Sequence, residues 1–321
     1  WRSISCFRLL ASLPYMSIKA GRLSNRGAFV RLFGAELRRM LRSPWFIGAV
    51  AAAMVLVAAS AVLDYLSYSE WYGYARAALD RGEFYKSYGM QSRLAPMYWV
   101  GTDGKPFSAL LYFLLPMLCL LPGAGTLAED RGSGFQSHAL SRVADGAYYC
   151  AKALACFVSG ALIALVPLLL AIVFASLVGP WGTPDPNEVF AFGIPISLDT
   201  PFRSFFFTQP GMYLLCWSGT AALLCGMWSI AVLAVSLYAK SPVRLFIGSV
   251  LAQLLINYMS LSINNMFFMG SSKTLDMFTV LHPLGYDSTS PSMTAIAVLI
   301  AVYSVIGILV PIISFKRRCY L

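Results

Sequence analysis

Six long apolar runs constrain what this chain can fold into, because none of them contains an acidic residue. A helix needs about 20 predominantly apolar residues to cross a bilayer. Its backbone hydrogen bonds are then satisfied within the segment, and the runs lack the alternating pattern of barrel strands. We therefore expect an all-α membrane protein with six transmembrane helices. The predicted spans cover residues 45–63, 107–128, 153–178, 213–238, 243–263 and 293–315.

The distribution of positive charge predicts how the chain is oriented. Charged residues make up 12% of the sequence, against about 25% in soluble domains. If the N-terminus is cytoplasmic, 17 of the 24 Lys and Arg residues lie on the cytoplasmic side, as the positive-inside rule requires. We therefore expect a multi-pass protein of the cytoplasmic (plasma) membrane with both termini in the cytoplasm.

The chain divides into two parts near residue 28. Residues 1–27 form a cytoplasmic N-terminal segment, and the sequence leaves open whether residues 1–15 belong to the native protein. Residues 28–321 form the six-span domain, which begins with an amphipathic helix at 28–43 lying in the membrane interface. Residues 64–105 are rich in Tyr and Trp, and we expect them to form a partly helical cap at the outer surface.

Glu36 interrupts the apolar face of this interfacial helix, whose opposite face carries Arg38 and Arg42. In one interpretation the carboxylate extends to water or pairs with a neighbouring arginine. In the other it pairs with a basic group of a cytoplasmic partner or of the charged segment 129–152.

This charged segment separates the second and third spans, so it must face water at one membrane surface. Gly132 and Gly134 permit a sharp reversal, and residues 135–140 fit a short helix parallel to the membrane. Asp145-Gly146 marks a second turn before the third span. A surface helix held between two turns in this way could dock a cytoplasmic protein and pass its movement to two membrane helices.

The order of these features resembles the permease subunits of ATP-binding cassette transporters of the second type. The chain has ELRRMLRSPWF before the first span, EDRGSGFQSHALSRVADGAYYCAK between the second and third, and His282-Pro283 after the fifth. The family pattern is a span-closing glutamate, a glycine, a coupling helix, a Ser-Arg pair, and an aromatic and a lysine that open the third span. The matching residues are Glu129, Gly134, Leu140, Ser141, Arg142, Tyr148 and Lys152.

The resemblance implies a type-2 exporter-like fold and an ATP-driven exporter. It implies a separate ATPase (nucleotide-binding) subunit that holds ATP and Mg, and a dimer with a second permease copy or a related permease. The ATPase-coupling residues would be Glu129, Asp130, Arg131, Gly134, Phe135, Leu140, Ser141, Arg142, Tyr148 and Lys152. The interfacial helix would contribute Glu36, Arg38, Arg39 and Arg42.

The chain itself lacks a nucleotide-binding motif, since no GxxxxGK[ST] pattern occurs in it. No paired carboxylates or His/Cys spacing predicts a catalytic or metal site. We therefore expect that this chain is not an enzyme and binds no cofactor or nucleic acid, with membrane lipid as its surroundings.

A polar stripe runs along the fifth span at helical spacing. Buried amides in lipid need partners, so the stripe either forms interhelical hydrogen bonds or lines a transport pathway. The resemblance favours the pathway. The stripe consists of Ser249, Gln253, Asn257, Ser260 and Asn264.

Two other spans carry signals about helix geometry. Pro116 and Pro122 predict a kinked second span, in which the kink is either structural or a gating hinge. Ser218, Ala222 and Gly226 form a small-residue stripe in the fourth span, suited to packing within the chain or at a dimer seam.

An ion-driven secondary transporter and a non-transport membrane scaffold are the alternatives. Ion coupling would require a carboxylate within the membrane, and none lies inside the predicted spans. The uncharged polar stripe favours an amphipathic or lipid-like cargo, a peptide or a drug over a small ion.

Overall fold

The computed structural model describes residues 22–82, 94–102, 105–136, 145–184, 200–239, 241–267, 275–284 and 291–318. No strand occurs among these residues. In chain order the helices are α1 (Arg22–Leu41), α2 (Pro44–Asp80), a 3₁₀ helix (Ala95–Tyr98), α3 (Pro106–Leu118), α4 (Thr126–Gly132), α5 (Asp145–Val178), α6 (Arg203–Thr208), α7 (Pro210–Val235), α8 (Pro242–Phe267), α9 (Met277–Leu281) and α10 (Met293–Arg318).

Five of the described helices are long and apolar enough to cross a membrane: α2, α5, α7, α8 and α10. The prediction of an all-α chain with long apolar helices is therefore confirmed. α2 differs from its predicted span, because it continues past residue 63 to Asp80. Residues 64–80 contain no proline that would end the helix.

The predicted second span, 107–128, is not one continuous helix. α3 has 13 residues, which at 1.5 Å per residue reach about 20 Å, less than the roughly 30 Å of a hydrocarbon core. Turns occupy residues 119–125, and α4 follows them. Pro116 and Pro122 each remove a backbone donor from this region, so the helix breaks where the sequence predicted only a kink.

Side chains of α7 bond to carbonyl groups at this break. The Trp228 indole N–H donates to the Pro116 carbonyl at 3.1 Å, and the Ser229 hydroxyl donates to the Cys119 carbonyl at 3.1 Å. Carbonyls away from water are costly unless they accept a hydrogen bond. The break is therefore part of the packed interior.

α7 is the central helix and packs mainly against α5 and α10. Glycines allow the close approach of α7 to α5: a Cβ added at Gly226 would lie 2.6 Å from the Phe157 ring, and one at Gly160 would lie 2.3 Å from the Ser229 hydroxyl. Ser218, Ala222 and Gly226 are all buried in the chain. At Gly226 the small-residue stripe therefore serves packing within the chain.

The bundle has two ends, which we call proximal and distal. At the proximal end α1, α4 and the first turns of α5 meet, as the Arg39–Asp130 hydrogen bond of 2.8 Å shows. At the distal end the 3₁₀ helix reaches the end of α5, and the start of α7 reaches α9. The Ala95 N–H donates to the Pro180 carbonyl at 2.8 Å, and the Trp217 indole donates to the Leu281 carbonyl at 3.0 Å.

Candidate functional site

Three helices bring charged side chains together at the proximal end. Glu36 and Arg39 lie one helical turn apart on α1, and Tyr148 and Lys152 lie one turn apart on α5, so each pair shares a face. Asp130 of α4 lies between the two pairs. Around them a small apolar cluster, which includes Met40 and Leu127, excludes water.

Lys152 is the centre of this proximal ion cluster and is fully buried. Its ammonium group forms an ion pair with Asp130 and lies 3.6 Å from Glu36 Oε2. It also donates to the Tyr148 hydroxyl at 3.2 Å, and that hydroxyl donates to Asp130 Oδ2 at 2.6 Å. The Arg39 guanidinium donates to Asp130 Oδ1 at 2.8 Å.

The cluster holds its charges by mutual compensation. Glu36 is 4% exposed and Asp130 is 1% exposed, so water stabilises neither carboxylate. Burial disfavours charge on both Asp130 and Arg39, but Lys152 and the hydrogen bonds to the carboxylate lower the pKa of Asp130. The hydrogen bond and the charge of Asp130 raise the pKa of Arg39. Both groups therefore stay ionised at neutral pH.

Of the two interpretations of Glu36, the structure shows a form of the second. The carboxylate lies 3.6 Å from the ammonium group of Lys152, which belongs to the charged segment 129–152, and its charge also acts on Arg39, one turn along α1. The ion pair compensates the buried charge of Glu36. Because separating the pair would leave an uncompensated charge in the interior, it holds α1 against α5.

The other predicted coupling residues surround the cluster. Glu129 is half exposed and lies 3.8 Å from Arg39. Arg131 follows Asp130 on α4 and is half-buried. Gly134 has a φ of +73°, a left-handed turn that glycine adopts without strain. Phe135 is 47% exposed. Arg38 on α1 and Arg42, which directly follows α1, are exposed, and Leu140, Ser141 and Arg142 lie outside the described residues.

The polar stripe of α8 forms hydrogen bonds with neighbouring segments. Gln253 donates to the Tyr303 hydroxyl of α10 at 3.2 Å, and Asn257 donates to Asp276 Oδ2 at 3.0 Å. The Ser260 hydroxyl accepts from the Leu275 N–H at 3.0 Å. The Ser249 hydroxyl donates to the Leu245 carbonyl of its own helix at 2.8 Å. The side chain of Asn264 lies outside the described residues.

Asp276 is the buried carboxylate that the sequence analysis missed. It is 0% exposed and precedes α9 as its N-cap, where Oδ2 accepts from the Thr279 N–H at 2.8 Å. An aspartate just before a short apolar stretch is a helix-start pattern that could have identified it. Residues 276–283, which follow the fifth predicted span, are all buried.

A second buried ion pair was also missed. Asp64 of α2 is 1% exposed, and its Oδ1 lies 2.7 Å from the Lys105 ammonium group. Lys105 also donates to the Ser67 hydroxyl at 3.1 Å. This pair fastens the start of α3 to α2 and lies away from the proximal cluster.

No protein-family model, curated protein or solved structure matches this chain. Inferences about its function therefore start from its own residues, and above all from the proximal ion cluster and the polar groups around Asp276.

Proposed function

We propose that this chain is the transmembrane permease subunit of an ATP-driven exporter. A separate ATPase subunit supplies the energy for the export of the cargo. The observation that carries the proposal is the proximal ion cluster. It joins the interfacial helix α1, the helix α4 at the end of the second crossing, and the start of α5 into one unit. A partner that moved the segment between α4 and α5 would therefore move α1 and α5 with it.

The cluster suits force transmission because its links are buried. Ion pairs away from water are weakly screened by salt, and separating them leaves an uncompensated charge in the interior. Lys152 contacts groups on both other helices, Glu36 of α1 and Asp130 of α4. The three helices are thus expected to shift together under a load.

The surface beside the cluster offers a place for the partner. The turn at Gly134 directs the chain away from α4, and Phe135 follows it with nearly half of its surface exposed. Exposed aromatic residues beside charged side chains are typical anchors of protein–protein contacts. In the proposed orientation this end faces the cytoplasm, where ATP is available.

The break between α3 and α4 supports the proposal that α4 moves relative to α3 during transport. In the proposal, residues 107–128, which run from α3 through the turns into the start of α4, make the remaining crossing and complete six spans in this subunit. The turns at 119–125 let α4 change its angle to α3 without bending a continuous helix. Two such subunits would surround one pathway, as the resemblance implies.

The test is co-purification of the full chain from its native membranes in mild detergent, with measurement of bound ATP hydrolysis. Phe135→Glu places a charge on the proposed docking surface and should lower the co-purified ATPase activity about tenfold or more, the loss expected of an interface anchor. Trp181→Glu is the matched control, because Trp181 is 46% exposed at the distal end. It should retain the activity.

Two results would contradict the proposal: an intact chain that carries no ATPase, or a Phe135→Glu chain that keeps it in full. The second candidate, ion-driven transport, would then be favoured by Asp276, a buried carboxylate with no basic side chain in contact with it among the described residues. Coupling carboxylates of ion-driven transporters occupy such positions.

A further inference from the structure

We infer that Asp276, Gln253 and Tyr303 form a binding site for a monovalent alkali cation at the distal end of the bundle. The inference is independent of the proposed function, because it concerns the isolated chain and needs no ATPase. The site lies where α8, α9 and α10 meet, on the inner side of the polar stripe.

Two buried oxygen atoms at this place have no hydrogen-bond partner among the residues that the structure describes. They are Asp276 Oδ1 and Gln253 Oε1, on side chains that are 0% and 2% exposed. Both atoms are acceptors, so they cannot satisfy each other. A positively charged ligand would satisfy both.

Contacts place these groups in one cluster. Gln253 and Asn257 lie one turn apart on α8, and Asn257 donates to Asp276 at 3.0 Å. The Gln253 amide nitrogen lies 3.8 Å from the sulfur of Met277, the residue that follows Asp276. The same nitrogen donates to the Tyr303 hydroxyl at 3.2 Å. The Tyr303 oxygen adds a third potential ligand.

The charge of Asp276 is not balanced by the helices packed around it. α3 and α7 contain no charged residue. Arg244 is the only charged residue of α8 and lies in its first turn, and those of α10 lie in its last turn. A buried carboxylate without a countercharge is costly.

The hydrogen bonds of Asp276 leave one oxygen atom for a ligand. Oδ2 already accepts from both the Asn257 amide and the Thr279 N–H, so Oδ1 is the oxygen that a cation would contact. One carboxylate balances one positive charge, whereas calcium and magnesium sites recruit more oxygen ligands and water. An organic ammonium group would need space beside a fully buried side chain. A bare alkali cation needs only the oxygen atoms, and carboxylate and carbonyl oxygens suit hard cations.

The experiment measures the thermal unfolding of the purified full chain in detergent while sodium chloride replaces choline chloride at constant ionic strength. We expect a saturable rise in the unfolding temperature of the wild type, because a ligand that binds the folded state stabilises it. Asp276→Asn should lose this rise. Gln253→Met should shift its half-saturation by about tenfold or more, as loss of a supporting group does in metal sites.

Two controls keep the result specific. Ser249→Ala alters the same stripe at a hydroxyl that bonds its own helix, and Lys273→Met removes the basic residue nearest to Asp276 in sequence. Both should keep the sodium response. If Asp276→Asn fails to fold, the Gln253→Met titration still decides. A wild type that responds equally to sodium and choline, or a Gln253→Met chain with unchanged half-saturation, would overturn the inference.

Discussion

Replacing Lys152 with methionine should destabilise the folded chain more than any other single change in the proximal ion cluster. Methionine keeps the length and the apolar stem of lysine and removes the charge. Asp130 would retain its hydrogen bonds from Arg39 and Tyr148. Glu36 would lose the one ion pair that it makes among the described residues while remaining buried.

The expected cost follows from that imbalance. Removing one partner of a buried ion pair typically costs about 3–5 kcal/mol, because a charge is left unpaired in the interior. Adding Glu36→Gln to the Lys152→Met chain removes the stranded charge. The double variant should therefore recover about 1–3 kcal/mol relative to the sum of the two single changes, the range of coupling energies for residues in contact.

The assay is unfolding in mixed micelles with increasing SDS, followed by far-UV circular dichroism and tryptophan fluorescence. Lys105→Met combined with Glu36→Gln is the matched control, because Lys105 pairs with Asp64 and not with this cluster. Those two changes should be additive within about 0.5 kcal/mol. A Lys152→Met cost below about 1 kcal/mol, the value typical of surface pairs, would refute the buried-cluster argument, as would additivity of Lys152→Met with Glu36→Gln.

Three further predictions concern pH and packing. The pKa of Asp130 is lowered in the folded chain, so its contribution to stability is fully present above the unfolded pKa of about 3.9 and is lost as the pH falls below that value. SDS unfolding measured at several pH values should show this loss of stability. The Asp130→Asn chain should not show the loss. Burial lowers the pKa of His282 to about 4, so the unfolded chain binds the proton first and stability should fall by up to about 3 kcal/mol from pH 6.5 to 4. His282→Gln should make the free energy of unfolding nearly independent of pH in this range. If the pH dependence were unchanged by this substitution, His282 would not be its cause. Gly226→Ala should lower the free energy of unfolding by about 1–3 kcal/mol, because the added methyl group would be overpacked against Phe157. Gly219→Ala on the same helix is the control, because a methyl group there meets nothing within 4 Å. It should leave the free energy of unfolding unchanged or raise it by up to about 1 kcal/mol.

Apolar run length was enough to predict the long helices, because the cost of unpaired backbone in lipid leaves few other structures. It could not predict the break after α3, since the run 107–128 is as apolar as its neighbours. The two prolines indicated the place, but the extent of the break depends on Trp228 and Ser229, which reach it from another helix.

The proximal cluster was partly predictable. Helical periodicity showed that Glu36 lies in an apolar face and left open whether its carboxylate extends to water or pairs with a basic group. Lys152 was one of the basic groups of the segment 129–152. Asp276 was not predicted, because it lies between the fifth and sixth predicted spans and outside both. Its burial comes from α9 packing against α3 and α8, which are distant in sequence.

The break in the second crossing also has a consequence for the order in which the chain is made. The groups that bond to the Pro116 and Cys119 carbonyls lie 112 and 110 residues later in the chain. A nascent chain synthesised only as far as α5 would contain α3 without the α7 side chains that donate to the Pro116 and Cys119 carbonyls. The second crossing is thus completed only after α7 has been made, and chains truncated before Trp228 should be recognised by membrane quality control as unfinished.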